Sequence, residues 1–279
     1  MLKIFATSRS TAAAPAPVIS RSLRAEAVSK RFAGVQALQS VDLSLEGGDL
    51  LGLIGPNGSG KTTLINVLSG FYRLTGGRVV LDAADVSGWS SHQIARAGVC
   101  RTFQNVRLFK RLTVLENVEV GAVASTSEAH GRTTRQRARA ALAELEISRF
   151  ADRYASELPY GSQRRVEMAR AIASDPSLLL LDEPAAGLNR SETEALSQTI
   201  TKLHAQRGLG VLVIDHDLRM ITTLCKRIVV LDAGRVIAAG TPREVTADPA
   251  VIAAYIGASA AQDRPESSAE HQPAASGKE

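Results

Sequence analysis

The stretch GPNGSGKTT (55–63) limits what this chain can fold into more than any other. It fits G-x-x-x-x-G-K-[ST] and joins a short apolar run, DLLGLIG (49–55), to TLINVLSGF (63–71). In the second run Leu64, Val67, Leu68 and Phe71 recur at helical spacing, which predicts a strand, a loop and a helix in succession. Glycines let the backbone turn tightly, so that successive N–H groups face phosphate oxygens, and the helix adds the positive end of its dipole. Gly55, Pro56, Asn57, Gly58, Ser59 and Gly60 are expected to wrap a nucleotide's phosphates. Lys61 should reach the β- and γ-phosphates, the Thr62 hydroxyl should bind Mg2+, and Thr63 should add a phosphate contact. Hydrogen bonds to charged groups contribute about 1.5–3 kcal/mol each, so a handful can hold a nucleotide with little help from its base. A dinucleotide-binding turn fits less well, because the third glycine of G-x-G-x-x-G is missing and such sites need no lysine.

Further strands are predicted at GRVVLD (77–82), LLLLD (178–182) and VLVID (211–215). The unbroken apolar character of LLLLD suits a parallel strand covered on both faces. SETEALSQTITKLHAQRG (191–208) reads as a helix with a Ser191/Glu194 capping box and a Gly208 stop. RIVVLDAGRVIAAG (227–240) reads as an antiparallel hairpin turning at Ala233 and Gly234. The alternation predicts an α/β fold, a P-loop NTPase core with a mostly parallel sheet and an antiparallel β edge. Residues 92–173, with TTRQRARAALAELEISRF among them, show helical spacing without a strand and read as an inserted α-helical subdomain. Residues 1–20 and 258–279, rich in Ala, Pro and Ser, read as a disordered arm and tail flanking a domain at 21–257.

The net charge of +5 is spread along the chain and only 4% of residues are aromatic, which argues against a nucleic-acid partner. Such a surface suits anionic ligands or an anionic membrane face. The two cysteines, Cys100 and Cys225, have no metal-ligand spacing and point to a reduced, intracellular protein. No apolar run reaches the length of a membrane span.

LLLLDEP brings two acids to the C-terminal end of a buried strand, where ligands bind in open α/β sheets. Asp182 is suited to hold Mg2+, and Glu183 to take a proton from an attacking water. In VIDHD (213–217), His216 follows another strand and is placed to bond the γ-phosphate and the water. In RTFQN (101–105), Gln104 is a neutral group able to reach Mg2+ or water. The expected catalytic set is therefore Glu183, His216, Gln104 and Lys61, and the metal set is Thr62, Gln104 and Asp182.

In the order phosphate loop, Gln104, LPYGSQRR (158–165), LLLLDEP and His216, the chain resembles the nucleotide-binding subunits of ABC transporters over residues 21–257. The resemblance implies ATP hydrolysis with Mg2+, in a head-to-tail dimer holding two ATP molecules between its subunits. It implies that Phe32 in SKRFAG stacks on adenine and that Asn189, where the family has Asp, makes a polar contact across the dimer. It also implies that LPYGSQRR caps the γ-phosphate of ATP held by the other subunit. The common family form is L-S-G-G-Q, so Pro159 stands in the serine's place. Proline offers neither N–H nor hydroxyl, which leaves the backbone at Gly161 to make the trans contact.

LPYGSQRRVEMARAIASDPSLLLLDEPAAGLN, GTPREVTADPAVIAAYIG (240–257) and RTFQNVRLFKRLTVLENV (101–118) are similar to ATPases of the branched-chain amino-acid uptake group. Relatives there serve urea, short amides or aromatic acids, and a lipopolysaccharide-export subfamily shares much of the C-terminal pattern. The implied partners are a second ATPase subunit, identical or a paralogue, two membrane permeases and, indirectly, a periplasmic solute-binding protein. The permeases would dock between Phe103 and Leu115, with Phe109 and Leu112 as apolar contacts, at the cytoplasmic face of the inner membrane. A non-transport ABC ATPase is disfavoured by the single phosphate loop and the lack of a long heptad run. A small-molecule kinase would not call for LPYGSQRR or for His216 at its position.

Overall fold

The computed structural model describes residues 21–123 and 132–262. The arm at 1–20 and the tail from 263 lie outside the described residues. In chain order the strands are β1 (Ser22–Phe32), β2 (Val35–Glu46), β3 (Leu50–Ile54), β4 (Gly76–Leu81), β5 (Ala84–Asp85), β6 (Val99–Arg101), β7 (Leu178–Asp182), β8 (Gly210–Ile214), β9 (Arg227–Asp232) and β10 (Arg235–Gly240). The helices are α1 (Lys61–Leu68), α2 (Ser91–Arg96), α3 (Val114–Val123), α4 (Thr134–Glu144), α5 (Tyr160–Ile172), α6 (Arg190–Arg207), α7 (Leu218–Leu224), α8 (Pro242–Ala247) and α9 (Pro249–Gln262). The last helix runs past the boundary read at residue 257.

Six strands form one sheet in the order β10-β9-β3-β8-β7-β6, parallel throughout except for β10 on the edge. Strands β3, β7 and β8 are buried at every residue, and their side chains alternate between two cores. Leu51, Leu53, Leu178, Leu180, Leu212 and Ile214 join α1 and the residues of β1 and β2 on one face. Leu50, Ile54, Leu179, Leu181, Val211 and Val213 join α5, α6 and α7 on the other. A strand with two apolar faces has no polar alternation, which is why these segments read as continuous Leu and Val. The β9–β10 hairpin turns at Ala233 and Gly234, both with positive φ, as the two-residue turn requires.

The structure differs from, or adds to, the sequence reading at four points. Residues 92–173 are not free of strand, since β6 pairs with β7 in the main sheet (Val99 opposite Leu178, Arg101 opposite Leu180). A second sheet, antiparallel in the order β2-β1-β4-β5, packs over α1 and includes the GRVVLD strand. Helix α6 begins earlier than SETEALSQ suggests: Asn189 is the N-cap and Glu192 completes the capping box, in place of Ser191 and Glu194. Phe71 likewise does not share the face of Leu64, Val67 and Leu68, because α1 ends at Leu68 and Phe71 is exposed.

Helix α3 packs closely on α5. A Cβ at Gly121 would lie 2.0 Å from the Arg170 carbonyl oxygen, so only glycine permits this approach. Gly121→Ala is therefore expected to lower unfolding free energy by about 1–3 kcal/mol, seen as a lower urea midpoint at unchanged slope.

Candidate active site

Parallel register brings the functional segments together. Leu53 of β3 and Asp182 of β7 are both paired with Ile214 of β8, so the three strands end side by side. The loop after β3, the acids at the end of β7 and the residues after β8 therefore share one edge of the sheet, the ordinary ligand edge of such folds.

Gly55, with φ of 149°, passes over the end of β9, where a Cβ would sit 2.0 Å from the Leu231 carbonyl oxygen. Gly60 passes β2 less tightly, 2.6 Å from the Ala37 carbonyl oxygen by the same measure. The Gly234 N–H donates to the Ser59 carbonyl at 2.9 Å, so the hairpin turn braces the loop. Within this cradle Lys61 is buried, and its Nζ donates to the carbonyls of Gly55 (2.8 Å) and Pro56 (2.9 Å). Burial pushes the Lys61 amine below its usual range, against the pull of Glu183 and Asp182. An ammonium held among carbonyls beside two acids suits the exchange of those neighbours for phosphate oxygens. Asn57, Gly58 and Thr62 are exposed at the mouth, and Thr63 is half-buried behind them.

Asp182 is 2% exposed and pairs with Arg101 at 3.1 Å. Arg101 also donates to Asn66 Oδ1 (2.6 Å) and Ser69 Oγ (3.0 Å), which ties β6 and β7 to the end of α1. Burial raises the Asp182 pKa, Arg101 pulls it back down, and the Glu183 charge pushes it further up. The other carboxylate oxygen, Oδ1, is buried with no hydrogen-bond partner. A buried acceptor so exposed to desolvation cost is suited to a cation or its water. Gln104 Nε2 donates to Glu183 Oε2 at 2.8 Å, which joins the two residues expected to handle water. Glu183 has φ of 46°, a left-handed backbone that costs a non-glycine residue about 1–3 kcal/mol. Its N–H donates to the Ile214 carbonyl at 2.7 Å, and that bond helps to hold the turn.

Beyond β8, His216 is exposed, with Nδ1 3.6 Å from Asp215 Oδ1. Asp215 is buried and accepts from the N–H groups of Ala185 (3.2 Å) and Asp217 (2.9 Å), so one carboxylate holds the turns after both β7 and β8. Phe32 stands apart at the end of β1, edge-on to Tyr72 at 5.2 Å, with Lys30 Nζ 4.7 Å from its ring centre. Gly161 and Asn189 belong to another surface, beside the start of α6: a Cβ at Gly161 would meet Glu192 Oε1 at 3.1 Å. Asn189 Oδ1 accepts the Glu192 N–H at 3.0 Å, so its carbonyl is occupied in capping.

Arg101 and Asp215 were not among the expected site residues. The available signals were a charged residue closing the short apolar VC, and the first acid of VIDHD lying at a strand end.

An Asp with a raised pKa loses its charge as pH falls through that elevated value. Arg101→Met removes the cation that lowers it, so the acid limb of nucleotide hydrolysis should move to higher pH. At neutral pH unfolding free energy should fall by about 3 kcal/mol, as when one half of a buried pair is removed. That loss should shrink in acid, where Asp182 is neutral; a pH–rate profile and urea titrations at two pH values read both effects.

A family model described as ABC transporter matches residues 38–186, and one described as branched-chain amino acid ATP-binding cassette transporter matches residues 235–261. The chain is 42% identical over 248 residues to the high-affinity branched-chain amino acid transport ATP-binding protein BraF of Pseudomonas aeruginosa, covering 84% of this chain and 97% of that one. It is 41% identical over 240 residues to LivG of Escherichia coli, of the same description, covering 81% and 94%. The lipopolysaccharide export system ATP-binding protein LptB of Escherichia coli is 33% identical over 235 residues, covering 84% and 97%. Among solved structures, the ADP conformation of MJ1267, an ATP-binding cassette of an ABC transporter, aligns with a TM-score of 0.78 and 32% identity over 85% of this chain and 99% of that one. The dimeric bacterial ABC transporter cassette MJ0796 aligns with a TM-score of 0.71 and 30% identity over 79% and 99%. Similarity of this extent, in sequence and in fold, makes the chain a member of the ABC transporter family, a nucleotide-binding subunit that hydrolyses ATP.

Proposed function

We propose that this ATPase drives import of branched-chain or other hydrophobic amino acids, bound to the cytoplasmic face of the inner membrane through two permeases. The observation that carries the substrate class is the match of residues 235–261 to the branched-chain cassette model, alongside the likeness to BraF and LivG. No described helix is long and apolar enough to cross a membrane, so attachment would be through partners.

The residues Gly55 to Thr63 wrap the ATP phosphates, with Lys61 turning from the loop carbonyls to the β- and γ-phosphates. The site suits Mg2+: Asp182 Oδ1 lacks a partner, and Thr62 and Gln104 stand exposed at the same edge. Magnesium usually takes one or two carboxylates, water and substrate phosphates rather than an all-protein cage. When bound, it offsets phosphate charge. Glu183 takes the proton of the attacking water, Gln104 holds the Glu183 carboxylate in place, and His216 reaches the γ-phosphate. Phe32 offers a ring face to adenine.

A second subunit, identical or a paralogue, completes each site. Helix α5 has Pro159 as N-cap with no side-chain cap, and the Pro159 carbonyl accepts the N–H groups of Ser162 and Gln163. The first-turn donors left over are those of Tyr160 and Gly161, directed along the helix axis toward the partner's γ-phosphate. At Asn189 the contact across the dimer falls to the amide nitrogen, since its oxygen caps α6.

For the permeases, a groove next to the Gln104 segment, lined by Phe71, Cys100, Phe103, Gly121 and Glu167, is a docking surface in addition to the expected contacts Phe109 and Leu112. Phe109 is exposed, and its backbone N–H and carbonyl are both held by the buried Asn117 side chain.

Glu183→Gln should lower kcat by about 10²–10⁴ while MgATP still binds, and cells carrying it in place of the parent should lose labelled leucine uptake. Normal leucine uptake with a defect in lipopolysaccharide export would refute the substrate class. Phe71→Asp should leave the ATPase of the isolated protein intact and abolish co-purification with the permeases; retained association would refute the groove.

A further inference from the structure

The backbone of Phe103 and Gln104 is held by one helix. Phe103 donates its N–H to Glu167 Oε1 (3.3 Å), and its carbonyl accepts from Arg164 Nη1 (2.8 Å). Arg164 Nη2 donates in addition to the Gln104 carbonyl. Both side chains lie in α5, both are nearly inaccessible, and they pair with each other at 3.5 Å. Burying such a pair is costly unless its polar atoms find partners, and here Arg164 Nη1, Arg164 Nη2 and Glu167 Oε1 all bond the chain segment that carries Gln104, while Arg164 Nε has no partner. The Arg164 guanidinium also lies over the Tyr160 ring at 5.3 Å. That ring in turn covers Gly187, where a Cβ would meet Tyr160 Cε1 at 2.9 Å. Gly187, with φ of 79°, lies two residues before the Asn189 cap.

We propose that Arg164 is a positioning residue for hydrolysis: seated on Tyr160, it sets the backbone of Gln104 from the first turn of α5, and so sets the Gln104–Glu183 hydrogen bond. The proposal rests on the reading of Gln104 and Glu183 as hydrolytic residues. The planar fork reaches two successive carbonyls through two different nitrogens at a fixed spacing, a rigid spacing that the single ammonium of a lysine at this position does not supply. The ring of Tyr160 makes the placement of Gln104 sensitive to the turn that faces the partner subunit, and through Gly187 to the loop before α6.

The test is a double-mutant cycle on the full-length protein, measuring kcat, KM for MgATP and thermal midpoint. Arg164→Lys should lower kcat by about tenfold or more, the scale of a sub-ångström to ångström misplacement, with KM held. Tyr160→Leu, at an exposed position, should lower kcat by about threefold through loss of the cation–π seat. Both losses should vanish in a Gln104→Ala background, because the group being positioned is gone. Losses that persist there in full would overturn the proposal while leaving the Gln104 assignment standing. A Gln104→Ala enzyme as fast as the parent would overturn that assignment, and the proposal with it. If Arg164→Lys does not fold, the Tyr160→Leu arm of the cycle decides by the same criterion.

Discussion

Parallel pairing of strands buried on both faces is the constraint from which the rest of this molecule follows. Strands β3, β7 and β8 each lie between two neighbouring strands, and every Leu, Ile and Val in them is in one core or the other. Polar chemistry has no room within the sheet and must leave at its C-terminal edge. Register then decides which residues leave together: pairing Asp182 and Leu53 with Ile214 puts Gly55, Glu183 and Asp215 next to one another without any contact among them being specified locally. A slip of one residue in β7 would turn Asp182 toward the core and Leu181 toward the ligand edge.

The cost of gathering charge at that edge is met by a few shared partners. Arg101 serves Asp182 and the end of α1, Asp215 serves two turns, and Lys61 draws on the loop carbonyls around it. The left-handed turn at Glu183 is strain retained where the side chain must leave the strand direction and face Gln104. The C-terminal ends of α4 and α5 are joined to α6 through a few shared partners in the same way. Arg207 in α6 bonds Glu144 through two nitrogens, each at 2.8 Å, and Asp175 at 2.9 Å, while Lys202 reaches Glu146 at 2.8 Å. These contacts sit between elements rather than within cores, so salt should loosen them sooner than the apolar packing around Leu142 and Ile172.

What was legible in the sequence was whatever a short window determines. The phosphate loop, the strand LLLLD and the hairpin at Ala233 and Gly234 carry their physics locally, through glycine dihedrals, uniform burial and turn geometry. Strand β6 was not legible, because three residues have no period and its partner, β7, is far along the chain. The antiparallel sheet was missed for the related reason that β1 is interrupted by register shifts, which break its alternation. The capping box of α6 was misplaced because two candidate pairs overlap, and only the extended backbone at Asn189 decides between them. In the site, residues belonging to the phosphate loop and the DE pair could be named in advance. Arg101 could not, since its role is to answer a carboxylate 81 positions away.

The proline in LPYGSQRR bears on how such a site stays open to a partner. A serine at an N-cap turns its oxygen onto the first free N–H groups of its own helix, the same donors that an incoming phosphate needs. Pro159 holds the extended backbone of an N-cap, φ −55° and ψ 151°, and starts α5 with its carbonyl alone. It therefore gives up one donor to an anion and also removes the internal competitor for the others. Just behind it, Tyr160 replaces a small residue with a ring that fills the space over Gly187 and lies beneath Arg164. The two substitutions act in one direction. Under the proposed trans contact they would shift the work of the turn from side-chain hydroxyls to a seated helix end, which is held by buried contacts to the segment carrying Gln104. In the proposed dimer, a turn built in this way would recognise an anion by placement rather than by number of donors.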